Sequence, residues 1–146
     1  MKLDVGDYGC QFADGYIPPV YFERKGLSDL FGTLGKGYKR FKKEILRAKE
    51  NKFTMIIIIE GTLSKVLSGY ERSTIGGISI IRQLFTLWIK YGIHPVFCKD
   101  KFEMSNYIAE FYCAIGRKYL EKDKWQNSVL MEGRDSCLSN SNLVSG

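Results

Sequence analysis

The spacing of apolar positions along the chain changes several times, and each change marks an element. Leu3 to Phe12 and Val20 to Lys25 read as short strands. Between them lie the turn residues Ala13-Asp14-Gly15 and Pro18-Pro19, so a β-hairpin or meander is expected. From Leu27 the period becomes helical, with Leu27, Leu30, Phe31 and Leu34 on one face. Gly32, Gly35 and Gly37 predict a break or bend. A second helix follows from about Tyr38 to Asn51. Its apolar stripe is Tyr38, Phe41, Ile45 and Ala48, and Lys39, Lys43 and Arg47 form a separate stripe.

Phe53 to Glu60 is an unbroken apolar run ending in an acid. Such a run predicts a strand covered on both faces, as in the middle of a parallel sheet. Leu63 to Leu67 reads as a short helix and Gly69 to Gly77 as a loop. Ile78 to Tyr91 is a strongly apolar helix that stops at Gly92. His94 to Cys98 is another short strand, and Met104 to Leu120 a last helix whose Tyr107, Phe111 and Tyr112 read as core, with a dimer surface as the alternative. After about Lys122 the pattern fades into Asn, Ser and Gly. The expected organisation is one domain over residues 1–122 and a poorly ordered polar tail over 123–146. The class is α/β, a small mixed central sheet flanked by helices.

Composition adds limits to this picture. The chain has 146 residues, 45% of them hydrophobic and 26% charged, enough for one core but hardly two. No segment reaches the roughly 18 apolar residues of a membrane span. The N-terminus MKLDVGDYG has acids where a signal peptide has its apolar stretch. Cys10, Cys98, Cys113 and Cys137 are scattered and there is one histidine, His94, so neither a zinc site nor a histidine dyad is expected. Reduced thiols inside a cell are the expectation, in the cytoplasm of a bacterial or phage source or the nucleus of a eukaryotic one.

Charge is more informative in its placement than in its total. Lys36 to Lys52 holds eight basic and two acidic side chains, which accounts for the whole net charge of +6. The remainder is neutral. A polyanionic partner is the natural implication, nucleic acid or an anionic membrane surface.

The candidate chemistry lies just before that segment, in Phe22-Glu23-Arg24-Lys25. Alternation on a strand puts Glu23 and Lys25 on one side and Arg24 on the other. If the two N-terminal strands are adjacent, Asp7 in Gly6-Asp7-Tyr8 converges with Glu23 on one cation. Two carboxylates plus waters and phosphate oxygens is how magnesium is commonly held. Lys25 would then orient a water or stabilise the transition state. Taken alone, an acid and a lysine two apart on a strand are more often an ordinary ion pair.

Context changes that weighting. Gly6-Asp7 followed by Glu23-Arg24-Lys25-Gly26-Leu27-Ser28-Asp29 resembles the G-D-x(n)-E-R-K-x-x-x-D signature of the XPF-type nuclease domain, within the PD-(D/E)xK superfamily. The E-R-K-x-x-x-D part is complete. Leu30 to Leu34, Arg40-Phe41 and the strand Ile56 to Glu60 extend the similarity, which spans about Leu3 to Lys118.

The resemblance implies a restriction-endonuclease-like fold, here without the family's first strand, which would precede Gly6-Asp7. It implies Asp7, Glu23 and the Arg24 backbone carbonyl as ligands of Mg2+ or Mn2+, and Lys25 as the catalytic lysine. Asp29 would support Arg24 or Lys25 by an ion pair, and Glu60 would approach from the next strand. The implied reaction is hydrolysis of a DNA phosphodiester, with branched, flap or fork DNA favoured. A homodimer or a nuclease-like partner subunit is implied too. The segment between Asp7 and Glu23 is longer than the family's, so its loop is expected to be extended, with Asp14 as a turn residue.

In that setting Lys36, Lys39, Arg40, Lys43 and Arg47 are the expected phosphate contacts, giving salt-dependent affinity without sequence information. Without it, a solvated helix face with Arg40 and Glu44 paired would be the plainer reading. A membrane-surface helix fits least, because the apolar stripe is needed for the core. The competing functional reading is a catalytically inactive nuclease-like module that binds DNA or acts as a scaffold.

Overall fold

The computed structural model describes residues 6–127 and 141–145, with side chains described as far as 121. The N-terminal strands are β1 (Tyr8–Phe12) and β2 (Val20–Gly26), followed by α1 (Leu27–Leu34), α2 (Tyr38–Glu50) and β3 (Thr54–Glu60). Then come α3 (Leu63–Leu67), α4 (Gly77–Tyr91), β4 (His94–Cys98), α5 (Lys101–Asn127) and β5 (Ser141–Ser145). The described strands form one mixed sheet in the order β4-β3-β2-β1-β5. β2, β3 and β4 are parallel, while β1 is antiparallel to both β2 and β5.

Helices cover both faces. On one, Met55, Ile57 and Ile59 of β3 pack with Leu30, Phe31, Phe41, Ile45, Ile80 and Leu84 from α1, α2 and α4. On the other, Phe22, Ile56 and Ile58 pack with Met104, Ile108 and Tyr112 of α5. The unbroken run of β3 is thus the central strand its composition predicts, buried from Met55 to Ile59. Phe111 and Tyr112 meet the Phe22 ring edge-to-face and serve the core as expected, whereas Tyr107 touches Phe22 only at its edge and is exposed. The Tyr112 hydroxyl donates to the Val20 carbonyl at 2.5 Å, and burial pushes its pKa up.

Three details differ from expectation. α5 starts at Lys101 rather than Met104 and runs on to Asn127. Asp100 Oδ1 accepts the Glu103 N–H at 2.8 Å and Glu103 Oε1 accepts the Lys99 N–H at 3.3 Å, a reciprocal cap that starts the helix ahead of its apolar stripe. The first described strand begins at Tyr8, and residues 1–5, which include the start expected at Leu3, lie outside the described residues. The expected tail contains β5, whose five residues pair with β1 from Tyr8↔Ser145 to Phe12↔Ser141. Residues 128–140 lie outside the described residues.

Candidate active site

The register of β2 on β3 decides which side chains meet. Glu23 pairs with Ile57 and Lys25 with Ile59, whereas Arg24 pairs with Ile58 and Gly26 with Glu60. Since Ile57 and Ile59 face α1 and α2, Glu23 and Lys25 face them too. The Lys25 ammonium lies 2.9 Å from Glu23 Oε1, and both side chains are largely buried. Burial raises the Glu23 pKa; the Lys25 bond and charge lower it, and the charges of Asp7 and Glu44 raise it further, leaving it above 4.5.

Asp7 reaches this pair from the start of β1. Gly6 has φ +79°, and a Cβ there would stand 2.8 Å from the Tyr21 Cβ, so glycine is required for the chain to cross β2 so closely. That crossing lets the Asp7 N–H donate to the Phe22 carbonyl at 2.8 Å. Asp7 Oδ2 in turn accepts the Arg24 N–H at 2.9 Å. Asp7 is therefore tied to the backbone of the residue between Glu23 and Lys25.

A groove of about 450 Å³ opens in front of Glu23 and Lys25. Ser28, Asp29, Gly32 and Thr33 of α1 form one wall, and Arg40, Phe41 and Glu44 of α2 the other. Gly37 closes the end: its N–H donates to the Gly32 carbonyl at 2.9 Å, and a Cβ there would lie 3.1 Å from that oxygen. The glycine-bearing break is what folds α2 back beside α1.

The structure brings Asp7, Glu23, Lys25, Asp29 and Arg40 to this region and separates Glu60 from it. Glu60 lies on Arg24's face of the sheet, opposite Glu23 and Lys25, where its carboxylate holds the Arg24 guanidinium at 2.5 Å. The expectation that Glu60 approaches the site is corrected by strand alternation: two strands in this register put position 60 on the far face. Asp29 makes no direct ion pair among the described residues, where Arg24 is held by Glu60 and Lys25 by Glu23, but its charge still acts on the Arg24 guanidinium. It lines the groove in the first turn of α1, where the helix dipole favours its charge.

The basic residues also divide. Arg40 lines the groove and sits 3.7 Å from Glu44. At about 100° per residue, Arg47 and Lys43 flank that edge of α2, and Lys39 falls further round. Lys36 stands in the turn before the helix. Asp14 is a turn residue, as its loop position suggests: its Oδ1 accepts the Tyr16 N–H at 2.9 Å and its Oδ2 the Tyr119 hydroxyl at 2.9 Å. Ser28, Gly32, Thr33, Gly37, Phe41 and Glu44 are the groove residues that sequence reasoning did not assign to the site. The signal for Glu44 was its place as an acid one turn from Phe41 within the basic segment.

Among the described residues no group of three or more His, Cys, Asp or Glu side chains is preassembled to hold a metal. The donors that would serve are the Asp7 and Glu23 carboxylates and the Arg24 carbonyl, with Asp7 bonded to the Arg24 N–H. That suits a hard cation such as magnesium, which keeps several waters and takes few protein ligands. A carboxylate whose ionised form is penalised by burial is also one that a cation would relieve.

This fold and site define a nuclease-like α/β domain of XPF type. The family model for the ERCC4 domain matches residues 1–111, and the chain belongs to that family. Among solved structures, XPF from Aeropyrum pernix matches with a TM-score of 0.62 and 24% identity. The match covers 86% of this chain and 57% of that one, so the chain spans little more than half the length of that relative. No curated protein sequence matches.

Proposed function

We propose that this chain is a divalent-metal-dependent DNA endonuclease that hydrolyses phosphodiester bonds and selects branched, flap or fork DNA. The observation that carries the reading is the Glu23–Lys25 pair at 2.9 Å, facing an open groove, with Asp7 bonded to the backbone between them. Asp7, Glu23 and the Arg24 carbonyl would hold Mg2+ or Mn2+. A bound divalent cation supplies charge neutralisation at the phosphate and acidifies the attacking water. The chain's own residues do the rest. Lys25, itself largely buried, presents an ammonium to the oxygen on which charge develops. Arg40 and Asp29 line the path of the strand. Arg40, Lys43 and Arg47 contact phosphates, with Lys36 and Lys39 further out, so binding weakens steeply with salt.

Pairing with a second copy or a nuclease-like subunit belongs to the same reading. Ile78, Phe85, Trp88 and Ile89 of α4 are exposed, Ile89 by 85%, and Trp88 stacks on His94 at the neighbouring strand edge. An apolar helix face of this kind fits a protein partner. No helix among the described residues is long and apolar enough to cross a membrane.

The test is cleavage of flap, fork and linear duplex DNA by purified protein with Mg2+, Mn2+ or a chelator. Metal-dependent cutting that Lys25→Ala abolishes, with DNA binding retained, is the expected result. Metal-independent binding with no cutting of any substrate would leave the inactive DNA-binding module as the function.

A further inference from the structure

We propose that Phe41 is a positioning residue for this site: the face of its ring seats the Lys25 ammonium. The inference rests on the nuclease reading for what Lys25 does, but not for the contact itself. Lys25 Nζ lies 5.5 Å from the centre of the Phe41 ring, within the range of a cation–π contact. On its other side is Glu23 Oε1 at 2.9 Å. These are the partners of the ammonium among the described residues, and all three side chains line the same groove.

The two contacts differ in what happens when the site is occupied. Glu23 is the carboxylate that a cation or a substrate proton would compete for. Once it is engaged, its hold on Lys25 weakens. The ring of Phe41 has no such competitor, so it keeps the ammonium over the groove. Rotamer freedom in a four-carbon side chain is large, and restraining it is what preserves a reactive geometry.

Position 41 also stands out within its own helix. The buried residues of α2 are Phe41, Ile45 and Ala48, and of these only Phe41 lines the groove. Packing alone asks for an apolar side chain at that place, and an aliphatic one serves at position 45. A ring presents a negative face where the cation lies.

Two substitutions test this. Phe41→Leu keeps an apolar side chain and removes the ring. Incorporation of mono-, di- and trifluorinated phenylalanine at position 41 keeps the shape and drains the ring face of charge. The expected result is a kcat about tenfold or more lower for Phe41→Leu, with KM for DNA little changed. The fluorinated series should lose kcat stepwise with each fluorine while melting temperatures stay level, which a packing role would not produce. In NMR spectra with and without Mg2+, the Lys25 ε-methylene signals should be shifted upfield by the ring, and the shift should vanish in Phe41→Leu.

A fluorinated series with unchanged kcat, or Lys25 signals at random-coil positions in the wild-type protein, overturns the proposal. If Phe41→Leu fails to fold, the fluorinated series decides. If the wild-type protein cuts no DNA, the nuclease reading falls, and the Lys25 shift in the presence of Mg2+ alone decides the seating.

Discussion

Asp7 and Arg24 are joined side chain to backbone, with Asp7 Oδ2 accepting the Arg24 N–H at 2.9 Å. A proposed metal ligand therefore also serves as a strand-to-strand bond. Asp7→Asn keeps an acceptor for that N–H and loses the charge. Asp7→Ala loses both. Cleavage and any Mg2+-induced rise in melting temperature should disappear in both variants. Asp7→Ala alone should unfold more easily, by about 1–2 kcal/mol relative to Asp7→Asn in urea titrations. Equal stabilities would mean that the bond contributes nothing to the fold.

Glu60 should separate stability from chemistry. It sits on the far face of the sheet and holds Arg24, with side chains 35% and 26% exposed for Arg24 and Glu60. For a pair that wet, Glu60→Gln should cost less than about 1 kcal/mol. Cleavage should persist at a reduced rate. A loss as complete as that of Lys25→Ala would return Glu60 to the reaction.

Burial holds the Glu23 carboxyl above its ordinary 4.5, against the pull of Lys25. Between that value and the raised one, the folded protein keeps a proton that the unfolded chain has released. Stability therefore falls as pH rises through this window and is regained below it. Cation binding needs the ionised form, so the Mg2+-induced rise in melting temperature should grow with pH across the same window. A melting temperature that does not fall across this window in the metal-free protein would contradict the raised pKa, and Glu23→Gln should flatten the stability slope.

Gly32 lies inside α1 and lines the groove, and a Cβ there would meet nothing within 4 Å. Glycine in a helix interior costs stability relative to alanine, so Gly32→Ala should gain about 0.5–1 kcal/mol. Calorimetry should show the higher melting temperature. Gly32→Leu should fold and cut poorly, because its side chain extends into the groove. Full activity in Gly32→Leu would mean that DNA does not enter there.

Much of this architecture is legible in the residues. The strand from Thr54 to Glu60, the glycine break before α2 and the stop at Gly92 follow from apolar spacing and turn chemistry. The pairing of Glu23 with Lys25 follows from alternation within one strand. Glu60 was misplaced because its face depends on the register between β2 and β3, which no local pattern encodes. The Phe41 ring was read as core, which its 2% exposure supports, yet its second contact requires knowing where β2 ends relative to α2. The strand Ser141–Ser145 escaped for a different reason. Its sequence, Ser-Asn-Leu-Val-Ser, pairs through its backbone with β1 and holds only two apolar residues, adjacent and without alternation.

The two edges of the sheet are not equivalent. β5 lines one edge, outside β1. β4, with five residues, is the other, and Pro95 interrupts its donors. Proline in a strand leaves its donor-free side toward solvent, which blunts the template on which another strand would add. A second protein at this end of the molecule should therefore meet side chains of α4 and not extend the sheet. Self-association there would give closed pairs in place of continuous β-ribbons.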